Sequence, residues 1–236
     1  MIRALIFDLD GTIADTEPLH LAAFNEALRP DGIEITPADY YTRFVGFTDH
    51  DCFLAVMAEH GKDGARVREL IARKSRAFVT MASKNATAYP GAERFVRAAA
   101  ERFPLIVATG ALRADAEAAL RGTGLRELFL DIVTAEDAER GKPAPDPFVI
   151  ALGRLGYLLR NRDAIQPEEC LVIEDTPAGI EGARQAGMRT LGIAHSIDMA
   201  KLATAEIVRP SLALTDLDEI LRALAGLDAS ARKGAS

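Results

Sequence analysis

Asp8 and Asp10 stand two residues apart at the end of an apolar run, in the stretch Phe7-Asp8-Leu9-Asp10-Gly11-Thr12. Carboxylates this close repel, and a proton or a metal ion relieves the pair. Extended backbone persisting to residue 10 puts both side chains on one side, and Gly11 then permits a sharp turn. An all-oxygen donor set of this kind suits Mg²⁺. A calcium loop counted from Asp8 needs glycine at its sixth position and a bidentate acid at its twelfth. Ile13 and Leu19 stand there instead. The bland alternative is a capped turn in which the two acids accept from free N–H groups.

Further chemistry-bearing residues close similar apolar runs. Glu174-Asp175 ends "CLVIED" and brings two more carboxylates, on a strand that can lie beside the first. Thr109-Gly110 ends "PLIVATG", a hydroxyl and a flexible backbone suited to a phosphate oxygen. Lys142 in "GKPAPDPF" is stiffened by Pro143 and Pro145. A lysine locked in a loop at a strand end is a candidate phosphate contact.

The elements that must position these residues are legible as alternating patterns. Short β-branched runs lie at 2–7, 104–109, 131–135, 170–175 and 189–194. Helical patterns fall between the later ones: one starts at Gly91, and another stops at Gly122 and Gly124. Asp146-Pro147 and Thr176-Pro177 read as N-caps followed by proline at the first helical position. The alternation predicts an α/β fold, a parallel sheet covered by helices on both faces. Ligands then sit beyond the carboxyl ends of the strands. Residues 15–85 break the rhythm, with helical patterns and little strand signal. The expected organisation is an α/β core of residues 1–14 and 86–236, interrupted by a helical domain over 15–85. The segment 157–169 is long for a helix–strand link and reads as a surface insertion or an interface. The polar tail "DASARKGAS" reads as frayed.

The composition is that of an ordinary globular protein, with 49% hydrophobic and 27% charged residues among 236. No apolar run reaches the ~18 residues of a membrane span, so no membrane association is expected. The N-terminus lacks the pattern of a secretory signal, which makes the cytoplasm the expected location. The net charge of −7, without a lysine or arginine stripe, argues against a nucleic-acid partner. Cys52 and Cys170 match no metal spacing and read as buried or idle thiols. Asn85-Ala86-Thr87 fits a glycosylation sequon, taken as chance without a secretory signal. A monomer is expected.

Taken in order, "FDLDGT", "ATG", "GKPAPDPF" and "IEDTPAGIEGARQAG" resemble the four motifs of the haloacid dehalogenase superfamily over nearly the whole chain. The helical insert resembles the cap of its β-phosphoglucomutase, sugar-phosphatase and phosphoglycolate-phosphatase-like branch. The resemblance implies a Rossmann-like core under that cap. It implies Asp8 as the nucleophile that forms an aspartyl-phosphate, and Asp10 as general acid and base. It implies Thr109 and Lys142 as ligands of the phosphoryl group. Mg²⁺ is implied on Asp8, the backbone carbonyl of Asp10, and Asp175, with Glu174 supporting from the side or through water.

Within that superfamily, dehalogenases and phosphonatases lack an acid two residues after the nucleophile, where this chain has Asp10. The insert segment "VGFTDHD" offers no phosphonatase lysine either. Thr16 and His20 in "DTEPLH" resemble both mutase and phosphatase, with His20 a hinge or substrate contact, or simply a helix-surface residue. Asp49 follows Gly46-Phe47-Thr48 where the mutase has a basic residue. Ala111-Leu112-Arg113 replaces the mutase's Ser-Lys-Asn-like stretch; Arg113 either substitutes for part of it or is an exposed helix residue. The expected function is therefore a phosphatase of a small phosphorylated metabolite, a sugar or polyol phosphate, ahead of a phosphomutase. A non-catalytic metal- or phosphate-binding module ranks third. His20, Gly46, Thr48, Asp49, Gly110 and Arg113 are the expected substrate contacts. Phe47 either joins them or belongs to the interior of the cap.

Overall fold

The structure, a computed structural model, describes residues 1–45, 47–160, 164–195 and 197–234. Its centre is a six-stranded sheet in which every pairing is parallel. The strands are β1 (Ala4–Phe7), β4 (Leu105–Ala108), β5 (Ile132–Val133), β6 (Cys170–Glu174), β7 (Arg189–Ile193) and β8 (Ile207–Arg209). They run in the order β5-β4-β1-β6-β7-β8. This is the α/β arrangement expected, and it puts the motif-bearing strands β4 and β6 on either side of β1.

Alternation along β1 explains why the run is apolar throughout. Leu5 and Phe7 face one layer, where Phe7 packs edge-on against Phe95 and Phe129 at 6.2 and 5.7 Å between centroids. Ala4 and Ile6 face the other, with Ile106, Phe148, Leu155 and Val172. A strand buried on both faces has no solvent side to carry polar residues. Asp8 continues the Ala4 and Ile6 side, and its N–H still donates to the Ile173 carbonyl at 2.9 Å.

The flanking helices are α5 (Ala92–Ala100), α6 (Arg113–Gly122), α7 (Asp146–Leu159), α8 (Pro177–Gln185) and α9 (Leu217–Gly234). Thr176 caps α8 as expected, accepting from the Gly179 N–H at 3.0 Å. Asp146 differs from its expected cap role: it is the first helical residue of α7, with Pro145 at the cap position. Its carboxylate is taken by Arg140, at 2.8 and 3.1 Å, rather than by the helix end. Of the segment 157–169, residues 161–163 lie outside the described residues, and Pro167–Glu169 form a short turn into β6.

Residues between Glu17 and Asn85 carry helices α1 (Glu17–Leu28), α2 (Pro37–Asp39), α3 (Asp49–Glu59) and α4 (Val67–Asn85). Phe24, Leu28, Tyr40, Phe53, Met57 and Leu70 are buried together among them. The chain enters and leaves this segment through a two-stranded antiparallel ribbon of β2 (Ala14–Asp15) and β3 (Thr87–Ala88). The C-terminal part of α4 packs on α6 so closely that a Cβ on Gly122 would lie 2.1 Å from the Ala82 carbonyl oxygen. No helix among the described residues is long and apolar enough to cross a membrane.

Gly122 lies at the end of a helix with no left-handed φ, where alanine ordinarily stabilises by about 1 kcal/mol. The contact with Ala82 reverses that sign. Gly122→Ala is expected to lower stability by about 1–3 kcal/mol. In urea unfolding the midpoint falls while the slope is unchanged; an unchanged or raised midpoint contradicts the contact.

Candidate active site

The strand order brings three motifs to one end of the sheet. Asp8 at the end of β1, and Glu174 and Asp175 at the end of β6, are all buried. One carboxylate oxygen from each lies within 4.8 Å of the others. Lys142, from the loop before α7, donates to Asp8 Oδ1 and to Glu174 Oε1, the latter at 2.6 Å. Its Nζ lies 5.4 Å from the centre of the Phe148 ring, in the layer that Asp8 faces.

Glycines make this crowding possible. A Cβ on Gly179 would fall 1.7 Å from Glu174 Oε1. Its absence lets the Glu174 carboxylate rest against the start of α8, where Oε2 accepts from the Thr176 N–H at 2.7 Å and its hydroxyl at 2.9 Å. Gly11 has a φ of +83°, and a Cβ there would lie 2.1 Å from Asp175 Oδ2. The other oxygen of Asp175 accepts from the Thr12 hydroxyl at 3.3 Å.

Burial is the largest influence on these acids. It raises the Asp8 carboxyl well above the usual range; Lys142 opposes, and Glu174, Asp175 and Asp10 add to the rise. Asp175 is pushed up to about 7 by burial and the Glu174 charge, against Lys142 and Thr12. Burial alone would push Lys142 down, but the Asp8 and Glu174 carboxylates outweigh it and hold the ammonium above its ordinary value. The donor set therefore fits a hard divalent cation: clustered buried oxygens, two of them on acids that are costly to ionise without more positive charge.

The extended strand does not persist to Asp10. The regular strand ends at Phe7, and Asp10 bridges to Ala14 ahead of the turn at residues 11–13. Asp10 Oδ1 accepts from the Thr16 hydroxyl at 2.6 Å, and Oδ2 from the Thr109 hydroxyl at 3.3 Å. Its carboxylate is not among the three clustered acids. Burial raises its pKa, opposed by Thr16, Thr109 and Lys142, and also by Lys74.

Lys74 belongs to a second cluster, on the helical segment. It is buried, donates to Asp49 Oδ1 and His20 Nδ1 at 2.9 Å each, and lies over the rings of Phe24 and Phe78. Lysine N–H only donates, so His20 Nδ1 is the acceptor and the ring proton sits on Nε2. Burial, then Lys74, holds His20 well below its usual pKa. The ring also stacks on Phe78 at 4.2 Å, which corrects the reading of His20 as a plain surface histidine.

Other expected contacts are placed differently. Thr48 is the N-cap of α3, accepting from the Asp51 N–H at 3.2 Å and donating to its carboxylate at 2.7 Å. Phe47 is half exposed, against Phe44, rather than in the interior. Arg113 is neither free for a phosphate nor simply exposed: its guanidinium donates to Asp137 at 2.6 Å and to the Ile132 carbonyl at 2.8 Å. Gly110 is exposed just past β4. Gly46 lies outside the described residues.

Sequence reasoning missed Thr12, Lys74 and Asp115. Lys74 had a signal, because it interrupts the buried stripe Val67, Leu70, Phe78, Ala82 on α4 at helical spacing. Asp115 is buried on α6 and accepts from Ser75 of α4 at 3.1 Å.

Residues 2–187 match the family model described as haloacid dehalogenase-like hydrolase. The chain is 32% identical over 191 residues to the fructose-1-phosphate phosphatase YqaB of Escherichia coli, covering 80% of this chain and 95% of that one. It is 30% identical over 234 residues to a phosphorylated carbohydrates phosphatase of Thermotoga maritima, covering 93% and 100%. The crystal structure of CbbY from Rhodobacter sphaeroides in complex with phosphate superposes with a TM-score of 0.76 at 27% identity, covering 91% of this chain and 96% of that one.

Burial first pushes Asp115 up to about 6, with Lys74 and Ser75 opposing and the Asp49 and Asp10 charges adding. A carboxyl raised on folding binds its proton more tightly in the folded state, so its stability contribution is lost as pH rises through about 6. Asp115→Asn is expected to stabilise at pH 8 by up to about 3 kcal/mol and to change little at pH 4. Thermal unfolding at the two pH values checks this; a gain independent of pH refutes it.

Proposed function

The chain belongs to the haloacid dehalogenase-like hydrolase family, and from that premise we propose that it is a cytoplasmic, Mg²⁺-dependent phosphatase of a small sugar or polyol phosphate. The observation that carries this reading is Lys142 set between Asp8 and Glu174 in a buried acid cluster, with Asp10 held separately by two threonines.

Asp8 Oδ attacks phosphorus, the bond to the leaving oxygen breaks, and an aspartyl-phosphate forms. Asp10 gives its proton to the leaving oxygen. It then takes a proton from the water that attacks the same phosphorus, so that inorganic phosphate leaves and Asp8 is restored. Burial raises the pKa of Asp10, the direction that suits a proton carrier. Lys142 offsets the charge between a carboxylate nucleophile and a phosphate dianion. Thr109 and the backbone at Gly110 face the transferring group. Asp8, Asp175 and the Asp10 carbonyl would hold Mg²⁺, with Glu174 in support; bound there, the ion supplies charge to the phosphoryl oxygens.

The leaving group faces His20 and Asp49. Asp49 offers acceptors for hydroxyls, and two named relatives act on fructose 1-phosphate and on phosphorylated carbohydrates. A mutase must grip a second phosphate. Here Lys74 is ion-paired with Asp49 and Arg113 with Asp137, which favours hydrolysis.

Phosphate release from a panel of sugar and polyol phosphates is expected with Mg²⁺. EDTA or Asp8→Asn should abolish it, by a factor of roughly 10³ or more. Conversion of a hexose 1-phosphate to the 6-phosphate without net phosphate loss would replace this reading with the mutase. On the best substrate, Asp49→Ala is expected to raise KM roughly tenfold, as for a lost hydrogen bond to a charged group, with kcat nearly unchanged. A loss confined to kcat would remove Asp49 from substrate binding.

A further inference from the structure

His195 lies just past β7 and has no part in the chemistry described above. Its ring touches three separated stretches of chain. Nδ1 lies 3.0 Å from the Gly11 carbonyl oxygen, and Nε2 lies 3.1 Å from the Leu212 N–H. The ring stacks on Tyr89 at 4.3 Å and 20° between planes. A carbonyl can only accept and a peptide N–H can only donate. The pair therefore specifies one neutral tautomer, with the proton on Nδ1. Burial keeps the imidazole below its usual pKa, with the Gly11 carbonyl opposing.

Each contact leads toward the site. Gly11 follows Asp10 and is the residue whose missing Cβ makes room for Asp175. Tyr89 follows β3, and its N–H donates to the Ile13 carbonyl at 2.8 Å, closing the ribbon through which the helical segment is attached. Leu212 belongs to a turn anchored by Arg94, which donates to the carbonyls of Leu212, Ala213 and Thr215 at 3.2, 3.1 and 3.2 Å. That turn is wedged against Gly91, where a Cβ would lie 2.3 Å from the Ala213 nitrogen. The C-terminal turn is thus a fixed wall, and the imidazole spans from it to the catalytic turn.

We propose that His195 is a positioning residue: its Nδ1–H fixes the Gly11 carbonyl, and so sets the turn carrying Asp8 and Asp10 against Asp175. The proposal rests on the phosphatase reading and adds a residue to it. Asparagine and glutamine separate the two ring nitrogens. Asparagine can place an N–H where Nδ1 stands and keep the Gly11 bond. Glutamine reaches the Nε2 position and keeps only the Leu212 bond.

The test measures kcat and KM on the best phosphoester, and also the thermal shift produced by Mg²⁺ with aluminium fluoride, a phosphoryl-transfer mimic. His195→Gln is expected to lower kcat roughly tenfold, the value of one lost hydrogen bond, with KM within about twofold and the thermal shift reduced. His195→Asn should keep kcat within about threefold and retain the shift. Wild-type behaviour of the glutamine variant overturns the proposal, and so does an equal fall in both variants. If the glutamine variant does not fold, the asparagine variant decides alone: a kcat below a third of wild type overturns the assignment, and retention upholds it. A wild-type chain without turnover refutes the phosphatase reading instead, and the thermal shifts then decide on His195.

Discussion

One cation among buried acids is the constraint on which the rest of the structure depends. Lys142 reaches the end of the sheet from the loop before α7 and bonds carboxylates carried by two neighbouring strands. Burying Asp8, Glu174 and Asp175 together is costly, and removing one partner of a buried pair generally costs about 3–5 kcal/mol. The ammonium lowers that cost only if β1 and β6 are adjacent, parallel and in register, so that Phe7 pairs with Ile173 and the acids emerge side by side. The fold and the electrostatics are therefore one requirement. The apolar strands bring the acids together, and the lysine lets them stay.

The same burial has different consequences for different acids, because their partners differ. Glu174 is engaged by Lys142 and by the start of α8. Asp8 and Asp175 have fewer bonds to their oxygens, and burial raises both. Asp10 is raised too, but two hydroxyls hold its oxygens and keep it out of the cluster. A nucleophile must remain a carboxylate, whereas a proton carrier must change its state. The two acids, two residues apart in sequence, have different bonding partners, Lys142 for Asp8 and two threonines for Asp10.

The sheet was legible because strands buried on both faces must be apolar along their whole length, and β1, β4 and β6 stand out on that ground alone. The chemistry was legible because polar residues closing such strands have few structural reasons to be there. What could not be read was set by partners distant in sequence. Arg113 looks like a free cation until Asp137 is placed beside it, and His195 looks like a loop histidine until Gly11, Tyr89 and Leu212 surround it. The β2–β3 ribbon has two residues per strand, too few for any alternation to register. The partner of Asp10 could not be read either: the Thr16 hydroxyl could as well have capped α1, but it makes no cap bond there and serves Asp10 instead. Lys74 was readable as a flaw in an apolar stripe, but not its partners, which come from two other helices.

Asp10 is also where the two parts of the molecule meet. Thr16, at the entry to the helical segment, holds one oxygen, and Thr109, at the end of a sheet strand, holds the other. Lys74, deep in the helical segment, adds to the forces that favour its charged form. Burial, the largest influence on this carboxyl, favours the protonated form, and the two hydroxyls and the two lysines oppose it. Its surroundings are therefore drawn from both the sheet and the helical segment, and neither part alone sets them.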